Sequence, residues 1–190
     1  MIDITLELKK DNKIWNGVGE DKDRLLKLGH IGTHIDVCNK SKVPLDYFKT
    51  RGILVDCSNY KENEEIGIEA LEGIKIDEAE FIIFKTNIQE KYEYGSEGYI
   101  KDHCYLSWKV LDYLLDKKVA FIGIDCAGVR KGKEHFEADV KAEKNNTYII
   151  ENLSLNTLKC KKGDKFNVYT MWIENPFSTG LSTRVLVDID

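Results

Sequence analysis

The chain has 190 residues, of which 42% are hydrophobic and 32% are charged, and its formal net charge is -5. This length suits one domain with a sizeable core, and an acidic chain without a basic stripe argues against nucleic-acid binding. No apolar run approaches the roughly 20 residues that span a bilayer, and the first residues resemble a strand rather than a signal peptide. We therefore expect a soluble, cytoplasmic protein without nucleic-acid or membrane partners.

The amino-terminal half of the sequence shows strand patterns separated by polar segments. Apolar and polar residues alternate over 2–8, which predicts a half-buried strand, and the polar stretch 9–24 reads as a loop. Further patterns predict strands at 31–37 and 53–57 and a short acidic helix at 64–72.

The carboxy-terminal half contains the clearest helix, in which leucines and a valine recur at helical spacing between Leu106 and Leu115, with Ser107 as a suitable N-cap. A second, shorter helix is expected at 137–143. Strands are expected at 81–84, 120–124, 148–150, 165–173 and 184–189. Mixed strands and helices without a Pro- or Ser-rich linker predict one α/β domain over 1–190.

Cysteine and histidine are both scarce in this chain. The five cysteines are widely spaced and never form a CxxC pair, so we expect buried reduced thiols and neither a disulfide framework nor a cysteine zinc site. They are Cys38, Cys57, Cys104, Cys126 and Cys160. Only four histidines are present, and two of them fall within one stretch of five residues.

That stretch belongs to the segment 29–37, GHIGTHIDV. On a strand, His30, Gly32, His34 and Asp36 would project from one face, and the β-branched residues between them would project from the other. Two imidazoles and a carboxylate on one face are typical ligands of zinc, manganese or ferrous iron. The alternatives are a polar strand face in contact with water, or a helical His pair as in HExxH. Gly32 and the β-branched residues disfavour the helix.

The segment 30–40, HIGTHIDVCNK, resembles the signature HxGTHxDxPxH of the cyclase family of metal-dependent hydrolases, which includes bacterial kynurenine formamidase and isatin hydrolase. Its first seven positions match in full. Other stretches are similar to the family in the same order along the chain, namely 1–8, 43–58, 81–86, 106–125 and 148–158.

The resemblance implies a single α/β domain of the swivelling β/β/α type that assembles as a homodimer or larger homo-oligomer. It also implies a centre of one or two divalent metal ions, zinc or manganese. His30, His34 and Asp36 would be ligands, with Asp36 placed to bridge two ions. Glu151, which precedes Asn152 and Leu153, falls on a ligand glutamate of the family.

Two departures from the family pattern lie in the same segment. Cys38 stands where the signature has proline, and Lys40 stands where it has the last histidine, which is the family's general acid/base. A lysine beside a dication is a poor replacement base, because both are positively charged. We expect Lys40 on the surface and leave the catalytic residue unassigned. Loss of a general acid/base typically costs about 10²–10⁴-fold in rate, which argues against full kynurenine formamidase activity.

A third departure lies twelve residues before Glu151, where the family usually has a histidine ligand and this chain has Asp139. An aspartate ligand would shift the preference from zinc toward harder ions such as manganese or magnesium. His135 lies one helical turn earlier and could substitute, so both residues remain candidates. For His103, helix capping or surface exposure is the expected role, and a pocket acid/base is the alternative.

We expect a metal-dependent hydrolase of a C–N amide bond in a small formamide or cyclic amide, similar to arylformamidase, with a metal-activated water as nucleophile. The alternative is a catalytically impaired family member that acts as a non-catalytic metal- or ligand-binding protein. A third interpretation is a metal-free structural protein.

Overall fold

The computed structural model describes residues 1–16, 22–161 and 163–189. The strands are β1 (Ile2–Asp3), β2 (His34–Asp36), β3 (Lys49–Asp56), β4 (Glu65–Ile66), β5 (Phe81–Lys85), β6 (Tyr105–Leu106), β7 (Phe121–Ile124), β8 (Tyr148–Glu151), β9 (Lys165–Trp172) and β10 (Gly180–Asp188). The α-helices are α1 (Lys22–Leu28), α2 (Ile88–Lys91), α3 (Glu97–Lys101), α4 (Trp108–Asp116) and α5 (Lys133–Lys144). Short 3-10 helices cover Lys13–Asn16, Leu45–Phe48 and Ile68–Leu71.

The main sheet closes on itself. Its strand order is β1-β10-β2-β8-β7-β5-β3-β9, and β9 also pairs with β10, so seven strands form a barrel and β1 lies beside β10. The pairs β3–β5, β5–β7 and β7–β8 are parallel, whereas β2 and β9 pair with their neighbours in antiparallel fashion. The short strands β4 and β6 form a separate parallel pair. The expected single α/β domain is confirmed as a mixed, barrel-like sheet with a few helices.

The parallel strands are apolar on both faces because both faces are covered. In β5, Phe81 and Ile83 belong to the core inside the barrel, whereas Ile82 and Phe84 belong to the core between the barrel and the helices. The same alternation continues in β8, where Ile149 points outward. Polar residues that follow the outward alternation therefore lie outside the barrel, beside the helices.

Helix α4 confirms the clearest prediction from the sequence. The Ser107 side chain accepts a hydrogen bond from the backbone N–H of Val110, which caps the helix. Val110, Leu111, Leu114 and Leu115 are all buried in the outer core. No helix in the described part of the chain is long and apolar enough to cross a membrane.

Several predicted boundaries are wrong. The strand expected at 2–8 is regular only over Ile2–Asp3, because the Leu6 N–H turns to the Thr33 hydroxyl, 2.8 Å away, instead of a neighbouring strand. Helix α1 begins at Lys22, inside the predicted loop, of which residues 17–21 lie outside the described part of the chain. The stretch 64–72 forms β4 and a 3-10 helix instead of an α-helix.

Cys57, Cys104 and Cys126 are buried as expected, whereas Cys38 and Cys160 are partly exposed.

Candidate metal centre

The segment that carries the histidine motif is a bend followed by a short strand. Strand β2 begins at His34, and Gly32 has a φ of +76°, a conformation that favours glycine. The predicted continuous strand over 31–37 is therefore wrong, and simple alternation does not place His30. The bend nevertheless brings His30 back over the outward face of β2, beside His34 and Asp36.

His30, His34 and Asp36 form the first group of candidate ligands. His30 Nδ1 lies 3.0 Å from His34 Nε2 and 3.3 Å from Asp36 Oδ1. His34 Nε2 lies 3.4 Å from the same carboxylate oxygen. The side chains of His34 and Asp36 are almost completely buried. Three donor atoms from two imidazoles and one carboxylate thus converge on one point.

The close contact between the two imidazoles requires a proton or a metal ion between their facing nitrogen atoms. His34 Nδ1 lies 2.9 Å from the Gly32 carbonyl oxygen, which can only accept, so Nδ1 carries the proton. The lone pair of neutral His34 then lies on Nε2 and faces His30 Nδ1 at 3.0 Å. Two facing lone pairs repel, so this contact requires either a proton or a metal ion.

A second group lies where α5 crosses the end of β8. His135 and Asp139 are one helical turn apart on α5, and His135 Nε2 lies 3.4 Å from Asp139 Oδ2. The same nitrogen lies 2.8 Å from Oε1 of Glu151, the last residue of β8. The structure thus brings together both residues that the sequence left as alternatives, and Glu151 joins them.

The two groups meet at Glu151. Its Oε1 faces His135, and its Oε2 lies 3.7 Å from His34 Nε2. Side chains along β8 alternate between the inside and the outside of the barrel, so Glu151 points outward because it follows the outward Ile149 by two residues. The candidate ligands therefore form one continuous cluster on the outer face of the barrel beneath α5.

Electrostatics within the cluster favour cations. Burial alone would lower the pKa of His34, but the carboxylates of Asp36 and Glu151 outweigh burial and raise it to about 9. Burial is likewise outweighed at His135, whose pKa rises to about 10 beside Glu151 and Asp139. Burial would raise the pKa of Asp36, yet His34 and His30 hold it well below its usual range. The site attracts protons or metal ions to a buried set of three carboxyl groups.

The residues present fit a divalent metal ion. Donor atoms around a tetrahedral zinc ion are roughly 3.3 Å apart, and the three separations in the first group are 3.0, 3.3 and 3.4 Å. Asp36 Oδ2 and Asp139 Oδ1 are buried and have no hydrogen-bond partner among the described residues. Because buried carboxylate oxygens are normally satisfied, these two atoms are suited to ligand bonds. The second group contains two carboxylates and one imidazole, whereas the first contains one carboxylate and two imidazoles, so the second suits a harder ion.

Hydrogen bonds around the cluster hold the motif residues in place. The Gly32 carbonyl oxygen accepts from the Asn152 amide at 3.2 Å as well as from His34, and the Gly32 N–H donates to the Tyr94 hydroxyl at 2.8 Å. The Thr33 hydroxyl donates to the Asn152 carbonyl oxygen at 2.7 Å. Sequence reasoning missed these contacts because they join distant parts of the chain, although Thr33 and Asn152 lie inside the recognised motifs.

Hydrogen bonds to one carboxylate connect the segment 39–41, which follows the motif, to α5. The buried Glu143 side chain accepts hydrogen bonds from the backbone N–H and side chain of both Asn39 and Ser41, over distances of 2.6–2.9 Å. Lys40 between them is exposed, as expected, with a φ of 58°.

His103 is buried, so the expectation of a surface position is wrong. Its Nδ1 lies 2.8 Å from the carbonyl oxygen of Cys104, which fixes the proton on that nitrogen. Burial lowers the pKa of His103 to about 4, so the imidazole is neutral at pH 7.

The sequence profile of the putative cyclase family matches residues 2–131, well over half of the chain and the whole of the histidine motif. The chain belongs to the putative cyclase family. No curated protein sequence matches it.

Solved structures share the fold of this cyclase-family chain. One described as a potential metal-dependent hydrolase with cyclase activity is 18% identical, with a TM-score of 0.73 over 98% of this chain and 96% of the other. A predicted metal-dependent hydrolase from Bacillus stearothermophilus gives 18% identity and a TM-score of 0.72 over the same shares. Isatin hydrolase A from Labrenzia aggregata bound to benzyl benzoate gives 15% identity and a TM-score of 0.69 over 82% of this chain and 72% of the other.

Proposed function

We propose that this protein is a metal-dependent hydrolase. The observation that carries the proposal is the convergence of His30, His34 and Asp36 donor atoms within 3.4 Å of one another, next to a second group at Glu151. The family supports it, as do structural neighbours described as metal-dependent hydrolases.

His30, His34 and Asp36 would hold one zinc or manganese ion, and His135, Asp139 and Glu151 would hold a second. A bound ion supplies Lewis-acid polarisation of a carbonyl and a water of lowered pKa. The second carboxylate oxygen of Asp36, Oδ2, would be available to a metal ion, since it has no hydrogen-bond partner within the described part of the chain.

The protein's own residues preorganise this chemistry. The Gly32 carbonyl fixes the His34 proton on Nδ1 and keeps Nε2 available to a cation. Pairing of β2 with β8, with Ile35 and Ile150 packed in the barrel core, keeps Glu151 opposite His34. Burial of the Asp36, Asp139 and Glu151 carboxyl groups would strengthen their electrostatic interaction with a bound cation, because their surroundings exclude water.

The substrate that we propose is the C–N amide bond of a small formamide or cyclic amide. Support comes from the neighbours described as isatin hydrolases, because isatin is a cyclic amide. Lys40 is exposed, and a lysine beside a dication is a poor general base, so we leave the group that protonates the leaving amine unassigned.

The proposal is tested by assaying purified protein loaded with zinc or manganese against N-formylkynurenine, isatin and cyclic imides. Hydrolysis of one substrate that disappears in EDTA and in His34→Ala supports the proposal. The matched control is Glu137→Gln on the exposed face of α5, which should hydrolyse as the wild type does. Failure with every substrate at full metal occupancy would contradict it.

That failure would favour the second candidate, a non-catalytic metal-binding protein. The exposed position of Lys40, where the resemblance places a catalytic histidine, is the observation in its favour.

We also propose a homodimer or larger homo-oligomer in the cytoplasm, which light scattering of the purified protein and fractionation of cells would test.

A further inference from the structure

His30 differs from the other candidate ligands in how it is held. His34, Asp36 and Glu151 lie within β2 and β8, so hydrogen bonds of the sheet fix their backbones. His30 precedes the bend at Gly32 and lies outside any strand. Its ring must therefore be oriented by contacts of another kind.

The contact that orients it is made by Thr179. His30 Nε2 lies 2.8 Å from the Thr179 hydroxyl oxygen, while Nδ1 faces the cluster. Thr179 immediately precedes β10, and its backbone carbonyl accepts a hydrogen bond of 2.8 Å from the N–H of Val37. One residue thus contacts the motif on both sides, through its side chain at His30 and through its backbone beyond Asp36.

The backbone around this contact is built for close approach. Gly29 has a φ of +82°, and a Cβ there would overlap the carbonyl oxygen of Gly180. A Cβ on Gly180 would lie 3.1 Å from His30 Nδ1, closer than most neighbours tolerate. Two facing glycines therefore let the start of β10 pack directly against the backbone of Gly29, which precedes His30, and bring the Thr179 hydroxyl within hydrogen-bond distance of the ring.

We propose that Thr179 is a positioning residue that accepts the Nε2 proton of His30 and so directs the Nδ1 lone pair to the metal centre. The inference rests on the proposed function, because it assumes that His30 is a ligand. A histidine ligand commonly donates its second ring N–H to an oxygen, which fixes the tautomer and the ring orientation. Here that oxygen is a hydroxyl, and it selects Nδ1 of His30 although His34 presents Nε2.

Three variants distinguish the role of the Thr179 hydroxyl from a general effect on the structure of its loop. Thr179→Val keeps the side-chain shape without the hydroxyl, and Thr179→Ser restores the hydroxyl. Ser178→Ala is the matched control, because the Ser178 hydroxyl contacts the Asn175 side chain in the same loop and not His30. Zinc affinity of metal-free protein is measured by competition with a chromophoric chelator.

We expect Thr179→Val to weaken zinc binding by about 10–100-fold, as removal of an outer hydrogen bond to a ligand typically does, with Thr179→Ser and Ser178→Ala within about threefold of wild type. Wild-type affinity in Thr179→Val would overturn the proposal. A second readout, long-range ¹H–¹⁵N correlation of the imidazoles in zinc-loaded wild type, should show His30 bound through Nδ1 with a proton on Nε2. Binding through Nε2 would overturn it regardless of how the variants fold.

These results are distinguishable from failure of the proposed function. If wild-type protein binds zinc with the expected effect of Thr179→Val but hydrolyses no amide, the hydrolase proposal fails and the role of Thr179 stands. If the wild type binds neither zinc nor manganese, both proposals are overturned. If zinc binds and His30→Ala has wild-type affinity, His30 is no ligand and the role of Thr179 is contradicted.

Discussion

His34 and Glu151 are Cα partners across the antiparallel pair β2–β8, and their side chains point to the same outer face with His34 Nε2 3.7 Å from Glu151 Oε2. One residue pair of the sheet thus joins the two groups of candidate ligands. Register between strands is strongly specified when one face is buried, and Ile35 and Ile150 are paired in the barrel core beside them. The apolar core therefore sets the spacing of the polar centre.

Glu151→Gln should weaken metal binding at both groups, because each oxygen of Glu151 faces a different histidine. At free metal 100 times Kd, bound metal stabilises a protein by about 2.7 kcal/mol. Wild type should show such a gain as a rise in Tm on addition of zinc or manganese, and the variant should show little or none. The exposed Glu137→Gln is the control. An equal rise in wild type and Glu151→Gln would contradict the assignment.

Metal-free protein should lose stability as the pH rises above neutrality. The pKa values of His34 and His135 are raised to about 9 and about 10 from 6.5. Groups with a raised pKa in the folded state contribute stability that is complete below their unfolded pKa and is lost as the pH passes through the folded values. Urea midpoints in EDTA should therefore fall between about pH 7 and pH 10.

The matched variant for this pH dependence is His135→Gln, which removes one of the two titrating imidazoles. Its urea midpoint should fall less steeply over the same pH range. Bound metal replaces the protons, so metal-loaded wild type should also give a flatter profile. A flat profile for metal-free wild type between pH 7 and pH 10 would contradict the cluster electrostatics.

Glu143→Ala should destabilise the fold by about 1.5–3 kcal/mol, because the partly buried hydrogen bonds from Asn39 and Ser41 would lose their charged acceptor. Glu137→Ala, on the exposed face of the same helix, should change stability by no more than ~0.5 kcal/mol. Both are measured by urea denaturation of metal-free protein. Equal small effects would show that the segment after the motif is not fastened through Glu143.

Gly29→Ala should be much more disruptive than Gly73→Ala. Both glycines have a positive φ, but a Cβ at Gly73 meets nothing within 4 Å, whereas a Cβ at Gly29 overlaps the Gly180 carbonyl. Gly73→Ala should cost about 1–2 kcal/mol from backbone strain alone. Gly29→Ala should cost more and should also weaken zinc binding, because His30 follows directly. Equal unfolding free energies for the two variants would argue against the close approach.

The sequence predicted the elements whose periodicity is strong. Helix α4 was expected from its leucine spacing and its Ser107 cap, and the apolar strands β5, β7 and β8 were expected from short buried runs. Closure of the barrel was not predictable, because it depends on β10 pairing with strands far away in the chain. Boundaries failed where side chains replace backbone partners, as the Thr33 hydroxyl does for the Leu6 N–H.

The candidate site was predictable in its residue types and less so in its geometry. Alternation correctly placed His34 and Asp36 on one face of β2 but failed for His30, because Gly32 bends the chain. His135 and Asp139 appeared as alternatives, whereas one turn of α5 places both beside Glu151. Thr179 carried no local signal, since 149 residues separate it from His30.

Metal binding by the group of His30, His34 and Asp36 and by the group of His135, Asp139 and Glu151 can be measured without any substrate. Metal-free protein is dialysed to equilibrium against zinc and against manganese, and the bound metal is quantified by elemental analysis. We expect one or two tightly bound ions per chain in wild type and in Glu137→Gln, and a loss of bound metal in His34→Ala and Glu151→Gln. Wild-type protein that retains no metal, or a His34→Ala variant that retains as much as wild type, would contradict this expectation.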